Sequence, residues 1–136
     1  MAGENKVAHL KMIQDVISRL ASNSALMKGW AITLVSASFI LAARKVDGAL
    51  VLISLLPALA FWLLDSYYLM LEQRFRNLYS KVSNIDEDSI DFSMEVSGES
   101  DDFFQKCMFS RVNWLFYGAL LLAIVFELLM CCFAGN

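Results

Sequence analysis

Hydrophobic and polar positions along the chain form two kinds of pattern. Between residues 6 and 22 the apolar positions recur at helical spacing. Leu10, Ile13, Ile17 and Leu20 follow the i, i+3, i+4 rule, and Met12 and Val16 widen the stripe. Lys11, Asp15, Ser18, Arg19 and Ser22 occupy the other side. Beyond this segment the alternation gives way to long apolar runs at 30–43, 49–71 and 114–134. The first run has 14 residues and rises only ~21 Å, short of a ~30 Å hydrocarbon core. Extending it back to Ser24 reaches a spanning length of about 20 residues, with Lys28 snorkelling to the surface. The second run carries Pro57 in its middle, where a lost backbone donor kinks a helix that neighbours can still support. It continues without Gly or Pro through residues 71–82, so one helix is expected from about 49 to about 81.

The pattern predicts an all-α integral membrane protein with three transmembrane helices. An N-terminal amphipathic cytoplasmic helix (1–23) precedes a transmembrane hairpin (24–71). A cytoplasmic helix extension and acidic loop (72–112) follow, then a third transmembrane helix and C-terminus (113–136). Composition agrees: 58% of the 136 residues are hydrophobic, above the roughly 45–50% of a soluble domain. No cleavable leader is expected, because a polar helical segment precedes the first apolar run and no small-residue cleavage pattern follows it.

Charge sets the direction. With three spans, the N-terminus and second loop share one side, which carries Lys6, Lys11, Arg19, Lys28, Arg74, Arg76, Lys81, Lys106 and Arg111. The other side has only Arg44 and Lys45. The positive-inside rule therefore places the N-terminus in the cytoplasm and the C-terminus outside a bacterial inner membrane. Trp30, Trp62 and Trp114 would all then lie at the cytoplasmic interface, where Trp is enriched.

Depth measured from these tryptophans puts Lys28, Asp65 and Arg111 in one layer, and Asp65 is expected to pair with Lys28 or Arg111. Glu127 lies ~20 Å along its helix from Trp114, near the outer face. Two readings stand for it: a pair with Arg44 or Lys45, or a ring of carboxylates at the outer mouth of an oligomeric pore. Ser36, Ser38 and Ser54 are read either as channel lining or as small residues that let helices approach.

On the cytoplasmic side, Arg74, Arg76 and Lys81 flank Tyr79, a mixture suited to an anionic, base-containing ligand or simply to anionic lipid. The N-terminal helix either lies on the membrane surface or packs on another cytoplasmic helix, and packing is favoured because its polar face carries both signs. Residues 83–104 hold Asp86, Glu87, Asp88, Asp91, Glu95, Glu99, Asp101 and Asp102 with no basic residue. Ile90, Phe92, Met94 and Val96 alternate with polar residues there. A solvated loop, a short strand and an acidic plug on a basic vestibule all fit.

Candidate chemistry is sparse. His9, the single histidine, has no ligand partner at metal spacing, and Cys107, Cys131 and Cys132 read as small apolar residues, with lipidation of Cys131 or Cys132 the alternative. No metal or cofactor is expected. No phosphate loop, HExxH or GxSxG occurs, so the chain is not expected to be an enzyme.

MIQDVISRLASNSALMKGWAITLVSASF, followed by FWLLDSYYLMLEQRFRNLYSKV, resembles small transmembrane effectors of bacterial anti-phage defence operons of the Hailong type, encoded beside a nucleotidyltransferase. The Lys28-Gly29-Trp30 start, the short hairpin, and Phe61-Trp62 with Asp65-Ser66-Tyr67-Tyr68 carry the resemblance, which spans roughly the first two-thirds of the chain. It implies a homo-oligomeric channel in the lipid bilayer, held closed by a nucleotide or short DNA oligomer made by the partner and opening on infection to depolarise the cell. Charge and position make Lys11, Arg19, Arg74, Arg76, Tyr79 and Lys81 the expected ligand residues. A membrane scaffold that recruits a soluble partner is the alternative class. A phage holin is a third, disfavoured by a tail without basic residues. A small multidrug-type transporter would need an acid near mid-depth.

Overall fold

The computed structural model describes residues 3–44, 48–96 and 101–135. Five helices follow in order: α1 Glu4–Ala43, α2 Gly48–Ile53, α3 Leu55–Ser83, α4 Asp101–Met108 and α5 Arg111–Ala134, with one 3-10 turn at Glu87–Ser89. No strand occurs among the described residues. Three stretches, Glu4–Leu41, Gly48–Ser83 and Arg111–Ala134, are long and apolar enough to cross a membrane.

The expected separate amphipathic helix and first span are one helix of 40 residues. Its buried positions explain why. Ile17, Ala31 and Ser38 are buried, and Ser24 completes a seven-residue series with them; Ile13, Leu20 and Val35 lie three or four residues from these. This single seam keeps α1 against α3 along its length. At its N-terminal end Ile13 and Ile17 pack on Val82, joined by Leu10, Phe75, Leu78, Ile90 and Met94. Toward the hairpin end, Val35 packs with Val51, Ala58 and Ile124.

The second run is helical from Gly48 to Ser83, as expected, with an interruption at the single residue Ser54, one turn before Pro57. Pro57 has no N–H for the Ile53 carbonyl, and its ring crowds that carbonyl. The chain therefore turns at Ser54, whose N–H and hydroxyl both donate to the Val51 carbonyl, at 3.1 and 2.6 Å. α3 then runs unbroken to Ser83.

Among its described residues the acidic segment forms no strand. Residues 90–96 are extended, but Phe92 takes φ of 54°, a left-handed conformation rare for a bulky residue, which breaks the period-two alternation. The segment folds back on the start of α1. Asn5 and Lys6 N–H groups donate to Glu87 Oε1 and Oε2 at 2.9 and 3.1 Å, so Glu87 caps α1 from 81 residues away. Lys6 Nζ donates to the Ile85 carbonyl at 2.8 Å, and buried His9 donates through Nε2 to the Ser93 carbonyl at 3.0 Å, beside the Phe92 ring.

Candidate functional site

Each of the three long helices contributes a pair of polar side chains to one buried layer. α1 supplies Ser24 and Lys28, one turn apart on its inward seam. α3 supplies Asp65 and Ser66, and α5 supplies Asn113 and Tyr117, again one turn apart. Asp65, Ser66, Asn113 and Tyr117 are all buried.

Asp65 is the centre. Lys28 Nζ forms a salt bridge with Oδ2, and the Ser24 hydroxyl donates to Oδ1. Tyr117 OH donates to Oδ2 at 2.9 Å. The ammonium uses its other protons on Ser24 Oγ at 3.1 Å and Asn113 Oδ1 at 3.3 Å. It also lies 5.9 and 6.0 Å from the ring centroids of Phe116 and Tyr117, within cation–π range. Asn113 Nδ2 donates to Ser66 Oγ at 3.4 Å, and the Ser66 hydroxyl donates to the Trp62 carbonyl at 2.7 Å. Three ammonium donors thus meet three acceptors, and both carboxylate oxygens are engaged. Satisfaction of this kind is what makes a buried pair tolerable, since a buried charge left unpaired is expensive.

Trp62 fastens the layer to the next segment. Its indole N–H donates to the Met108 carbonyl at the end of α4, at 3.0 Å, and its ring stacks on Tyr117 at 6.0 Å. Phe109 meets it edge-on.

Arg111, the other expected partner of Asp65, is exposed and makes no ion pair among the described residues. It starts α5 on the face opposite Asn113 and Tyr117, so the helix aims it outward. Glu127 is buried and turned into the subunit. It accepts from the Ser38 hydroxyl, which lies 2.9–3.1 Å from its two oxygens and 2.6 Å from the Val35 carbonyl. It does not pair with Arg44, and Lys45 lies outside the described residues. Within one subunit Glu127 does not face a lumen, because the turn of α5 that buries Ile124 also buries it. Of the three serines, Ser38 holds Glu127, Ser54 donates to the Val51 carbonyl of α2 and Ser36 is exposed.

The expected ligand residues do not converge within one subunit. Lys11 and Arg19 sit on the outward side of α1, two turns apart. On α3, Arg74 and Lys81 share one flank of the Phe75–Leu78–Val82 stripe, while Arg76 and Tyr79 share the other. Arg76 is already paired with Glu72 at 2.7 Å, and Arg74 is half-buried.

Ser24, Ser66, Asn113 and Tyr117 escaped sequence reasoning. The available signal was polar residues spaced four apart near the charges: Ser24 before Lys28, and Asn113 before Tyr117. No protein family, no curated protein and no solved structure matches the chain.

Proposed function

We propose that the chain is the subunit of a homo-oligomeric membrane channel, with its N-terminus and residues 72–112 on the cytoplasmic side of a bacterial cell membrane and its C-terminus outside. The outward face of α1 carries this reading. Asp15, Ser22, Gly29 and Ser36 recur every seven residues, with Lys11, Ser18, Ala25 and Ile32 interleaved, and all eight are exposed. A Cβ on Gly29 would meet nothing within 4 Å. The outward face of α5 is the opposite: Leu115, Leu122, Phe126, Leu129 and Phe133 are large, apolar and 51–77% exposed. That face suits acyl chains. A small, hydroxyl-bearing face suits close approach of another helix or a water path. The subunit's own interior is filled by the Asp65 layer and the Val35–Ile124 cluster, so a path for ions would run between copies.

The resemblance to Hailong-type effectors gives the channel its regulation. A nucleotide-type anionic ligand from a partner nucleotidyltransferase would bind Lys11, Arg19, Arg74, Arg76, Tyr79 and Lys81 and hold the closed state by binding it more tightly than the open one. Loss of the ligand on infection would make the pore toxic. A second reading, a membrane anchor for a basic soluble partner, draws on the exposed Asp86, Asp88, Asp91 and Glu95.

The test is disulfide cross-linking in membranes, with Cys131 and Cys132 replaced by alanine. Ser22→Cys, Gly29→Cys and Ser36→Cys should each link copies, and Leu122→Cys should not. The purified protein should conduct in a planar bilayer. A monomer that neither links through α1 nor conducts would sink the channel and leave the anchor.

A further inference from the structure

Residues 85–96 lie as a strap over the start of α1 and the end of α3. Ile90 and Met94 pack on the Ile13–Ile17–Val82 cluster. Lys6 holds the Ile85 carbonyl, and the Glu87 carboxylate accepts from the N–H groups of Asn5 and Lys6. The last polar hold is His9, which is 1% exposed. A carbonyl only accepts, so the proton on Nε2 is the one given to Ser93 at 3.0 Å. The other ring nitrogen, Nδ1, is buried without a hydrogen-bond partner. The Phe92 ring lies 5.5 Å from the imidazole, centroid to centroid, and Phe92 has the left-handed φ of 54°.

A neutral imidazole fits this place, because an idle acceptor costs less than an idle charged donor. A second proton would sit on Nδ1, where no acceptor meets it, and would leave a buried cation without a counter-ion. The charged groups around the ring do not change this. On α1, Lys6 is a cation three residues away, and Glu4 is exposed. In the 3-10 turn, Glu87 is engaged with the first N–H groups of α1. On the strap, Asp91 accepts from the Ser93 N–H at 3.0 Å, and Asp91 and Glu95 are both exposed. α3 turns Phe75, Leu78 and Val82 to this cluster, with Arg74 and Lys81 on its flank. Among the described residues no carboxylate forms an ion pair with His9.

We infer that His9 is an acid-released latch: a proton on Nδ1 lifts the strap from α1 and bares the apolar Ile13–Ile17–Val82 surface. The closed strap has no place for that proton, whereas a solvated His9 accepts it. Opening therefore takes up a proton, and acid favours the open form. Solvated histidine titrates at about 6.5 and solvated carboxylates at about 4. Lowering the pH from about 7.5 to about 5.5 should then multiply the open fraction about tenfold, with the strap's acids still ionised. The latch is built within one subunit and holds whether or not the protein conducts.

Thiol labelling of the full chain in detergent tests this. Val82→Cys places a thiol in the cluster that the strap covers, and Asp88→Cys, in a separate chain, places an exposed one on the strap. Each is labelled with 4,4′-dithiodipyridine, which reacts in mild acid, and peptide mass spectrometry separates it from the native cysteines. The rate at 82 divided by the rate at 88 corrects for the pH dependence of the thiol reaction. With His9 present this ratio should rise about tenfold between the two pH values. His9→Gln keeps a side-chain N–H for Ser93 and takes up no proton. It should hold the ratio at the neutral wild-type value throughout, and circular dichroism checks that it is folded. A wild-type ratio that does not rise overturns the latch. An equal rise in His9→Gln also overturns it and assigns the effect to the strap's carboxylates. So does a His9→Gln strap already open at the higher pH, because loss of the imidazole rather than its protonation would then free the segment.

Discussion

Asp65 and Lys28 form one unit whose parts are costly apart. Removing one partner of a buried ion pair leaves the other charge uncompensated, a loss of about 3–5 kcal/mol. Asp65→Ala should therefore lower stability by about that much in a detergent melt, and Tyr117→Phe, which loses one neutral donor, by only about 1 kcal/mol. Lys28→Met/Asp65→Leu should recover most of the loss, because both charges leave together. A double variant no more stable than Asp65→Ala would show that the pair specifies the helix arrangement rather than merely balancing charge. Glu127 leads to a contrasting expectation. It faces Ser38 inside the subunit, so Glu127→Gln keeps a hydrogen bond at that place. In a conducting assembly the reversal potential should not move; a shift toward anions would place Glu127 in the ion path.

The faces of the helices were legible where apolar positions alternate with polar ones and illegible inside the long apolar runs. Leu10, Ile13, Ile17 and Leu20 announce the inward seam of α1 in the usual apolar code. The seam continues as Ser24, Lys28, Ala31, Val35 and Ser38, where polar and small residues replace the apolar ones, so hydrophobic periodicity no longer marks the inward face. Hence α1 reads as two elements and folds as one. The layer at Asp65 was half legible for the same reason: the charges stand out of an apolar run, while Ser24, Ser66, Asn113 and Tyr117 do not. Pro57 was visible, but where the break would fall was not, since that depends on Ser54 taking over the Val51 carbonyl. The return of the acidic segment to α1 had no local signal at all, because Glu87 and Asn5 are 82 residues apart. That contact carries its own prediction. Glu87→Ala removes a helix cap, a loss of about 0.5–2 kcal/mol. Backbone amides of residues 5–9 should exchange severalfold faster with solvent, while amides near Ala31 and Val35 stay protected. Unchanged exchange at residues 5–9 would mean that His9 and Lys6 hold the segment without Glu87.

At the scale of the whole molecule, the placement of the cations bears on what a ligand would have to bridge. Lys11 and Arg19 point away from α3, and Arg76 and Tyr79 leave α3 on the flank opposite Arg74 and Lys81. A short anionic oligomer cannot reach all of them on one subunit without wrapping around the helix pair. If copies meet so that one copy's α1 lies near its neighbour's α1 and also flanks that neighbour's α3, the cations of the first α1 stand beside the second copy's α3, and the ligand site is completed between subunits. This predicts complementation. If the proposed nucleotide ligand holds the channel shut, subunits carrying Lys11→Glu/Arg19→Glu and subunits carrying Arg76→Glu should each be leaky and toxic when expressed alone beside the proposed nucleotidyltransferase. Co-expressed, they form some boundaries that join an intact α1 to an intact α3, and toxicity should fall below that of either alone. Growth and membrane potential read the outcome. Co-expression as toxic as the single variants would mean that the proposed ligand site is not completed between subunits, and that closure does not depend on contact between copies.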